Sequence, residues 1–258
     1  MKVQIISDIH AEMVYYSGIA QEALFGISIP ESSKDITLVV AGDLATGYIT
    51  GIWLNKLAEL YKNVIFVCGN HEFYGENLYT YVDGLRDVVL PKNVFILDDE
   101  TCVIEDVVFI GSTLWSNAKG ADHRSGYAMN DYFQISRTNE LGLNETIDVF
   151  DTLDCHYSSV GYIYSELSTL KSSPLKKIVV SHHMPSLKMI SNQYRDSSLN
   201  PFYATNLESI MDMGVDIWIC GHSHGAFDEV IGSTRCIRNG RGYPQERIEY
   251  NRELIIEV

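Results

Sequence analysis

Three observations predict a mixed α/β fold for this 258-residue chain. Short β-branched runs alternate with longer stretches of helical periodicity along most of its length. Two hairpin-like clusters, at 94–112 and 226–238, add antiparallel pairs to what would otherwise be a parallel arrangement. The composition, 46% hydrophobic and 21% charged, is that of an ordinary globular chain rather than a disordered or coiled-coil one. No Pro/Gly/Ser-rich linker or internal repeat divides the sequence, so a single domain over residues 1–258 is expected.

The elements follow in order. Strands are expected at Lys2–Ser7, Ile36–Ala41, Asn63–Cys68, Val94–Leu97, Thr101–Ile104 and Val107–Ser112. Later strands are expected at Lys177–Ser181, Asp216–Cys220, Phe227–Ile231, Thr234–Arg238 and Leu254–Val258. Ile49, Ile52, Trp53, Leu57 and Leu60 recur at helical spacing, as do Leu78, Val82, Leu85 and Val89. A long amphipathic run extends from Leu143 through Ile147, Phe150, Leu153, Val160 and Leu167 to Leu170, stopped by Pro174. Leu207, Ile210 and Met211 predict a last short helix ended by Gly214. Trp115–Ser136 and Pro185–Tyr203 read as long loops, which in compact domains commonly carry function.

Charge and cysteine usage narrow the function classes. Lys plus Arg number 19 against 34 Asp plus Glu, a formal charge of −15. Such a surface repels duplex nucleic acid and anionic lipid at long range. The five cysteines are odd in number and never spaced Cys-x-x-Cys, which suggests neither a disulfide framework nor a thiolate metal site. Cys68, Cys220 and Cys236 fall in strand-like apolar runs and read as buried thiols. The N-terminus has too short an apolar stretch for a signal peptide, and no window approaches a membrane span, so a cytoplasmic location is expected.

The chemistry gathers at the downstream ends of the strands. The first ends in Asp8-Ile9-His10, the second in Gly42-Asp43 and the third in Gly69-Asn70-His71-Glu72. Two later strands run into His182-His183 and Gly221-His222-Ser223-His224, so that six of the eight histidines stand at strand ends. Each piece alone has an ordinary reading: a turn carboxylate, a left-handed glycine, a solvated imidazole. Together they converge on one place if the strands share a sheet system, because ligands of open α/β sheets bind beyond the carboxyl ends of the strands.

These five blocks, spanning residues 8 to 224, resemble the signature of the calcineurin-like metallophosphoesterases. Gly69-Asn70-His71-Glu72-Phe73-Tyr74-Gly75, Ser112-Thr113-Leu114-Trp115 and Arg241-Gly242-Tyr243 further resemble a bacterial and phage subgroup. The resemblance implies a four-layer α/β/β/α sandwich, with two mixed β-sheets face to face and helices outside. It also implies two divalent metal ions: Asp8, His10 and His224 on the first, Asn70, His182 and His222 on the second, and Asp43 bridging both. Mixed imidazole and oxygen donors favour Mn²⁺, with Fe or Zn²⁺ as alternatives. Two divalent ions against two ligand aspartates leave the pocket locally positive within an acidic protein, which suits a small phosphoester.

The implied reaction is hydrolysis of a small phosphomonoester or phosphodiester by a metal-bridging hydroxide. His71 is expected near the leaving group, as proton donor or as a cation stabilising the transition state, with a histidine that only orients Asn70 as the alternative, and Glu72 is expected to hold its ring in place of the Asp commoner in the family. Asn239 is placed to support His222 or His224, and Arg241 to face a phosphate, with a solvated surface arginine as the alternative. The loop carrying Asn117, His123 and Arg124 is a candidate cap. Trp115 and Phe73 are candidates for stacking an aromatic leaving group, or else packing. Rival readings are a protein serine/threonine phosphatase built on the same metal core, and a non-catalytic module that binds phosphate through its metals.

Overall fold

The computed structural model describes residues 1–15, 26–121 and 123–258, with side chains at 14, 15 and 123–125 outside that description. Two large sheets form its framework. The first has the order β13 (Ile255–Glu257), β1 (Lys2–Ile6), β2 (Ile36–Ala41), β3 (Asn63–Val67) and β4 (Val94–Ile96). The second has the order β11 (Gly225–Ile231), β12 (Thr234–Gly240), β10 (Ile217–Cys220), β9 (Lys176–Ser181), β6 (Val107–Ser112) and β5 (Glu100–Ile104). β1 to β4 are mutually parallel, with β13 antiparallel on the edge. β6, β9, β10 and β12 are parallel, and β5 and β11 run antiparallel at the two edges.

Alternation along the strands sorts three apolar layers. Val3, Ile5, Val39, Ile65 and Val67 meet Phe109, Ile178, Val180, Ile219 and Ile237 between the sheets. Leu38, Val40 and Phe66 point the other way. They pack under Trp53, Leu54 and Leu57 of α1 (Gly47–Leu60) and Leu85 of α2 (Tyr81–Val88). On the far face of the second sheet, Val108, Ile110, Val179 and Trp218 pack beneath Ile163 and Leu167 of α3 (Val149–Thr169) and beneath Ile210 and Met211. Mixed sheets flanked by helices on both outer faces give the α/β/β/α sandwich. Burial on both faces explains why the strands read as unbroken apolar runs.

Most element ends lie within three residues of expectation, and two differences bear on the surroundings of the loops. α3 begins at Val149 rather than near Leu143, because Asp148 and Asp151 form a reciprocal capping box at 2.7–3.3 Å. Leu143 is 61% exposed and lies in the turn of a polar hairpin, β7 (Ser136–Thr138) with β8 (Asn144–Thr146), which the helical periodicity concealed. β12 continues two residues past Arg238 to Gly240, where it bridges to Ser7 of the opposite sheet. Arg241 N–H donates to Ser7 O and Gly242 N–H to Asp8 O, both at 3.0 Å. The sheets are thus tied together where the loops after their parallel strands emerge.

Candidate metal centre

The sequence-predicted metal ligands all stand in those loops. Asp8 and His10 follow β1, Asp43 follows β2, Asn70 follows β3, His182 follows β9, and His222 and His224 follow β10. Sharp turns aim them inward: Asp8, His10, Asp43 and His222 have φ of 53°, 50°, 53° and 65°. Non-glycine residues seldom adopt that left-handed region, and such strain concentrates at functional sites. The loops brace one another through Asp8 N–H to Gly42 O, His10 N–H to Asp43 O and Gly221 N–H to His182 O, at 2.9–3.0 Å. Gly69 is required by crowding, since a Cβ there would lie 2.2 Å from Asp43 Oδ1. Gly42 combines φ of +82° with a Cβ position 2.3 Å from His182 Nδ1.

Three overlapping groups of donors result among the described residues, Asp8–His10–His224, Asp43–His182–His222 and, joining them, His10–Asp43–His71. Nε2 of His10 and Nε2 of His224 are 3.2 Å apart. His182 Nε2 lies 3.1 Å from Asn70 Oδ1 and 3.4 Å from Asp43 Oδ1, while Asp43 Oδ2 is 3.9 Å from His10 Nε2. Donors that sit about 2.0–2.1 Å from a shared cation lie roughly 3–3.4 Å from each other, which is the spacing found. Asp8 Oδ1 and His222 Nε2 are buried without a hydrogen-bond partner. Such orphaned donors are costly unless something cationic satisfies them, so the residues fit divalent metal ions.

Neighbouring groups fix how the donors point. His182 Nδ1 lies 2.9 Å from the Ala41 carbonyl, so Nδ1–H donates there and Nε2 is left for ligation. The Asn70 amide donates to Asp131 Oδ1 at 2.8 Å and to Tyr74 Oη at 3.0 Å, which turns Oδ1 towards the cluster. Glu246 holds His224 Nδ1 at 2.5 Å. Although burial opposes its charge, Asp43 is held well below the usual carboxylate range by His182 and His71. His182 rises to about 9, since Asp43 outweighs the effect of its burial. Burial and the imidazoles of His183 and His182 push His222 down, and burial with His182 pushes His183 to about 3.

His71 stands at the edge of the cluster, 8% exposed. Its Nδ1 is 3.3 Å from Glu12 Oε1 and its Nε2 is 3.3 Å from Tyr243 Oη. Burial lowers its pKa, but Asp43 and the hydrogen bond to Glu12 prevail and raise it to about 9. Glu72 does not hold this ring, contrary to expectation. Its two oxygens instead accept the backbone N–H groups of Asp43, Leu44, Ala45 and Gly69 at 2.5–3.2 Å. Three residues along the chain from Gly69, its carboxylate turns back to clamp the loops after β2 and β3 together. Burial and the adjoining Asp43 carboxylate push its own pKa up.

The expected substrate contacts are largely elsewhere. Asn239 is fully buried: its amide donates to Ile5 O and Asn251 O at 2.8 Å, and its Oδ1 accepts Asn251 N–H at 3.0 Å. It fastens β1 to the C-terminal segment and supports neither His222 nor His224. Arg241 donates to Ile9 O at 2.8 Å and packs against Gly26, so it faces away from the cavity. Trp115, 4% exposed, packs on His183 and Phe73, and Phe73 is equally enclosed. Asn117 caps its own turn through Lys119 N–H. The side chains of His123 and Arg124 lie outside the described residues.

A cavity of about 370 Å³ opens over the cluster, reached by Asp43, Asn70, His71, His222 and His224. The long loops supply its walls through Met129 and Asn130 on one side and Ile190, Tyr194 and Tyr203 on another. The sequence does not single out Glu12, Asp131, Tyr74, Tyr203 or Tyr243. Tyr74 and Tyr243 lie inside the Gly69–Gly75 and Arg241–Tyr243 blocks and Glu12 stands two residues after His10, which is the signal available for them. Asp131 meets Asn70 across 61 residues, and nothing local announces it.

Comparison with known proteins agrees with this geometry. The family model for calcineurin-like phosphoesterases matches residues 1–226. Uncharacterized protein L509 of Acanthamoeba polyphaga mimivirus is 27% identical over 237 residues, covering 86% of this chain and 83% of that protein. Phosphopantetheinyl hydrolase (PptH) from Mycobacterium tuberculosis shares the fold with a TM-score of 0.67 at 19% identity, covering 95% of this chain and 90% of that one. A putative 5′-nucleotidase from Staphylococcus aureus is similar with a TM-score of 0.52 at 15% identity, over 93% of this chain and 48% of its own. No described helix is long and apolar enough to cross a membrane. The chain belongs to the calcineurin-like phosphoesterases, metal-dependent hydrolases of phosphoric esters.

Proposed function

We propose that the protein is a dinuclear metallophosphoesterase that hydrolyses a small phosphomonoester or phosphodiester. The observation that carries this reading is the set of overlapping donor groups joined through His10 and Asp43, with Asp8 Oδ1 and His222 Nε2 orphaned. Asp8, His10 and His224 would hold one divalent cation, Asn70, His182 and His222 the other, with Asp43 between them. Bound there, the ions supply Lewis acidity, which withdraws charge from phosphoryl oxygens and makes a water acidic enough to act as nucleophile near neutral pH. Mn²⁺ suits the mixed nitrogen and oxygen donors, with Fe or Zn²⁺ as alternatives.

The remaining steps fall to the chain's own groups. Glu12 takes the Nδ1–H of His71, so Nε2 faces the cavity and is the atom that gives a proton to the departing oxygen. Asp131 and Tyr74 prevent the Asn70 amide from flipping, so a neutral oxygen rather than an N–H faces the cation. Glu72 holds the loop that carries Asp43. A cavity of about 370 Å³ suits a small substrate, in agreement with neighbours named for phosphopantetheinyl and 5′-nucleotide substrates. The Gly69–Gly75 resemblance to a bacterial and phage subgroup belongs to the same reading, as does a reducing compartment such as the cytoplasm, supported by five free cysteines.

The test is turnover of an aryl phosphate and a bis-aryl phosphate by manganese-loaded protein, with metal content measured on the same sample. Hydrolysis of either ester at two metals per chain is expected. Two bound metals with no turnover of either would favour the non-catalytic module.

A further inference from the structure

The walls around the cluster are aromatic, and this bears on the substrate class. The Tyr203 ring stacks on His222 at 4.5 Å and 27°. Tyr243 lies over His10 at 4.5 Å and meets His224 edge-on at 4.8 Å. Tyr74 lies 4.3 Å from His71. All three are half-buried and line the cavity. Two of the hydroxyls are engaged, Tyr74 with Asp131 at 2.8 Å and Tyr243 with His71 at 3.3 Å. With those hydroxyls engaged, Tyr74 and Tyr243 offer a ligand mainly their aromatic carbon surface.

Charge points the same way. No Lys or Arg lines this cavity among the described residues, and Glu246 adds a carboxylate to its rim. The faces of aromatic rings carry the negative lobe of the quadrupole, so they attract apolar or electron-poor groups and give an anion nothing to pair with. A phosphate seated on the metals would be neutralised. A second phosphate or a carboxylate on the leaving group would meet tyrosine rings and Glu246, with neutral side chains such as Asn130, Gln193 and Asn200 and no Lys or Arg to pair with, while His71 serves the departing oxygen.

We infer that the substrate is a phosphoester whose leaving group is uncharged and presents an aromatic or apolar face to the collar of Tyr74, Tyr203 and Tyr243. This rests on the phosphoesterase reading above and narrows it. It excludes bisphosphates and nucleoside diphosphates or triphosphates as preferred substrates. A volume of about 370 Å³ accommodates such a leaving group beside the phosphate.

The experiment compares 2-naphthyl phosphate with 4-carboxyphenyl phosphate, whose leaving phenols are of similar acidity, on manganese-loaded full-length protein. The wild-type ratio of kcat/KM is expected to favour the naphthyl ester by about tenfold or more. Ile248→Lys places a cation in the wall and should lower that ratio at least severalfold. Gln193→Lys, at an exposed lining position, repeats the test where folding is not at risk. A wild-type ratio near one, or one inverted with both esters hydrolysed, would overturn the inference and leave the phosphoesterase reading standing. An unchanged ratio in both lysine variants would overturn the charge argument. Hydrolysis of neither ester by the metal-replete protein would defeat the underlying reading as well.

Discussion

Removing Glu12 separates the role of His71 from the role of the metals. Glu12 Oε1 lies 3.3 Å from His71 Nδ1 and 3.4 Å from His10 Nδ1, and the Glu12 and His71 side chains are 10% and 11% exposed. A hydrogen bond to a charged group in such a setting is worth about 1.5–3 kcal/mol. At about 1.4 kcal/mol per factor of ten, Glu12→Ala should lower kcat by about 10- to 100-fold where protonation of the leaving oxygen matters. His71→Ala should cost about 10²–10⁴-fold under the same conditions. Steady-state kcat is measured on phenyl phosphate, a poor leaving group, and on 4-nitrophenyl phosphate, a good one. The loss in Glu12→Ala should be large on the first and small on the second, with metal content unchanged. Because Glu12 acts through His71, the double variant should be no slower than His71→Ala. Losses that multiply in the double variant would refute the argument. A fall in bound metal on Glu12→Ala would show that the carboxylate works through His10 instead.

Other consequences are equally direct. Glu72→Ala removes the acceptor of four backbone N–H groups and should destabilise the fold by about 2–4 kcal/mol in urea unfolding; unaltered stability would mean the loops hold themselves. Asn239→Ala removes the side-chain donor to Ile5 O and the acceptor of Asn251 N–H, so its Tm should fall while kcat/KM of the folded enzyme stays within a factor of about two; a selective loss of kcat/KM would return it to the substrate. Gly69→Ala drives a methyl into Asp43 and should abolish high-affinity metal binding, read by calorimetric titration. His156 is 2% exposed and burial lowers its pKa, so the unfolded chain binds the extra proton first as pH falls. Its contribution is complete above the unfolded value of about 6.5 and is lost as pH falls below it. His156→Gln should therefore flatten the decline of Tm between pH 7 and pH 5, and an identical decline would argue against this source.

Much of the architecture is legible in the sequence for a physical reason. β2 and β9 are buried on both faces, which forces unbroken apolar runs, and each stops abruptly at the polar residues of its loop. Carboxylate, amide and imidazole groups crowded at the ends of such strands would repel or strand one another unless they shared a ligand, so Asp43 and His182 stand out. The hairpin at 136–146 does not, because an exposed polar ribbon carries no apolar alternation. The start of α3 depends on Asp148 and Asp151, acids that also look like an ordinary solvated turn. Side-chain direction is the least readable property. Glu72, Asn239 and Arg241 lie beside the right blocks, but the backbone turns each of them towards main-chain groups. Glu12 and Asp131 take the supporting roles because the fold, not the local sequence, carries them to His71 and Asn70.

The central claim is that seven dispersed side chains assemble a two-ion centre. Crystals of the manganese-loaded protein, with data collected at the manganese absorption edge, test it most directly. Two anomalous peaks about 3.5–4 Å apart are expected, one against Asp8, His10 and His224, the other against Asn70, His182 and His222, with Asp43 reaching both. A single peak, or peaks away from Asp43, would contradict the account.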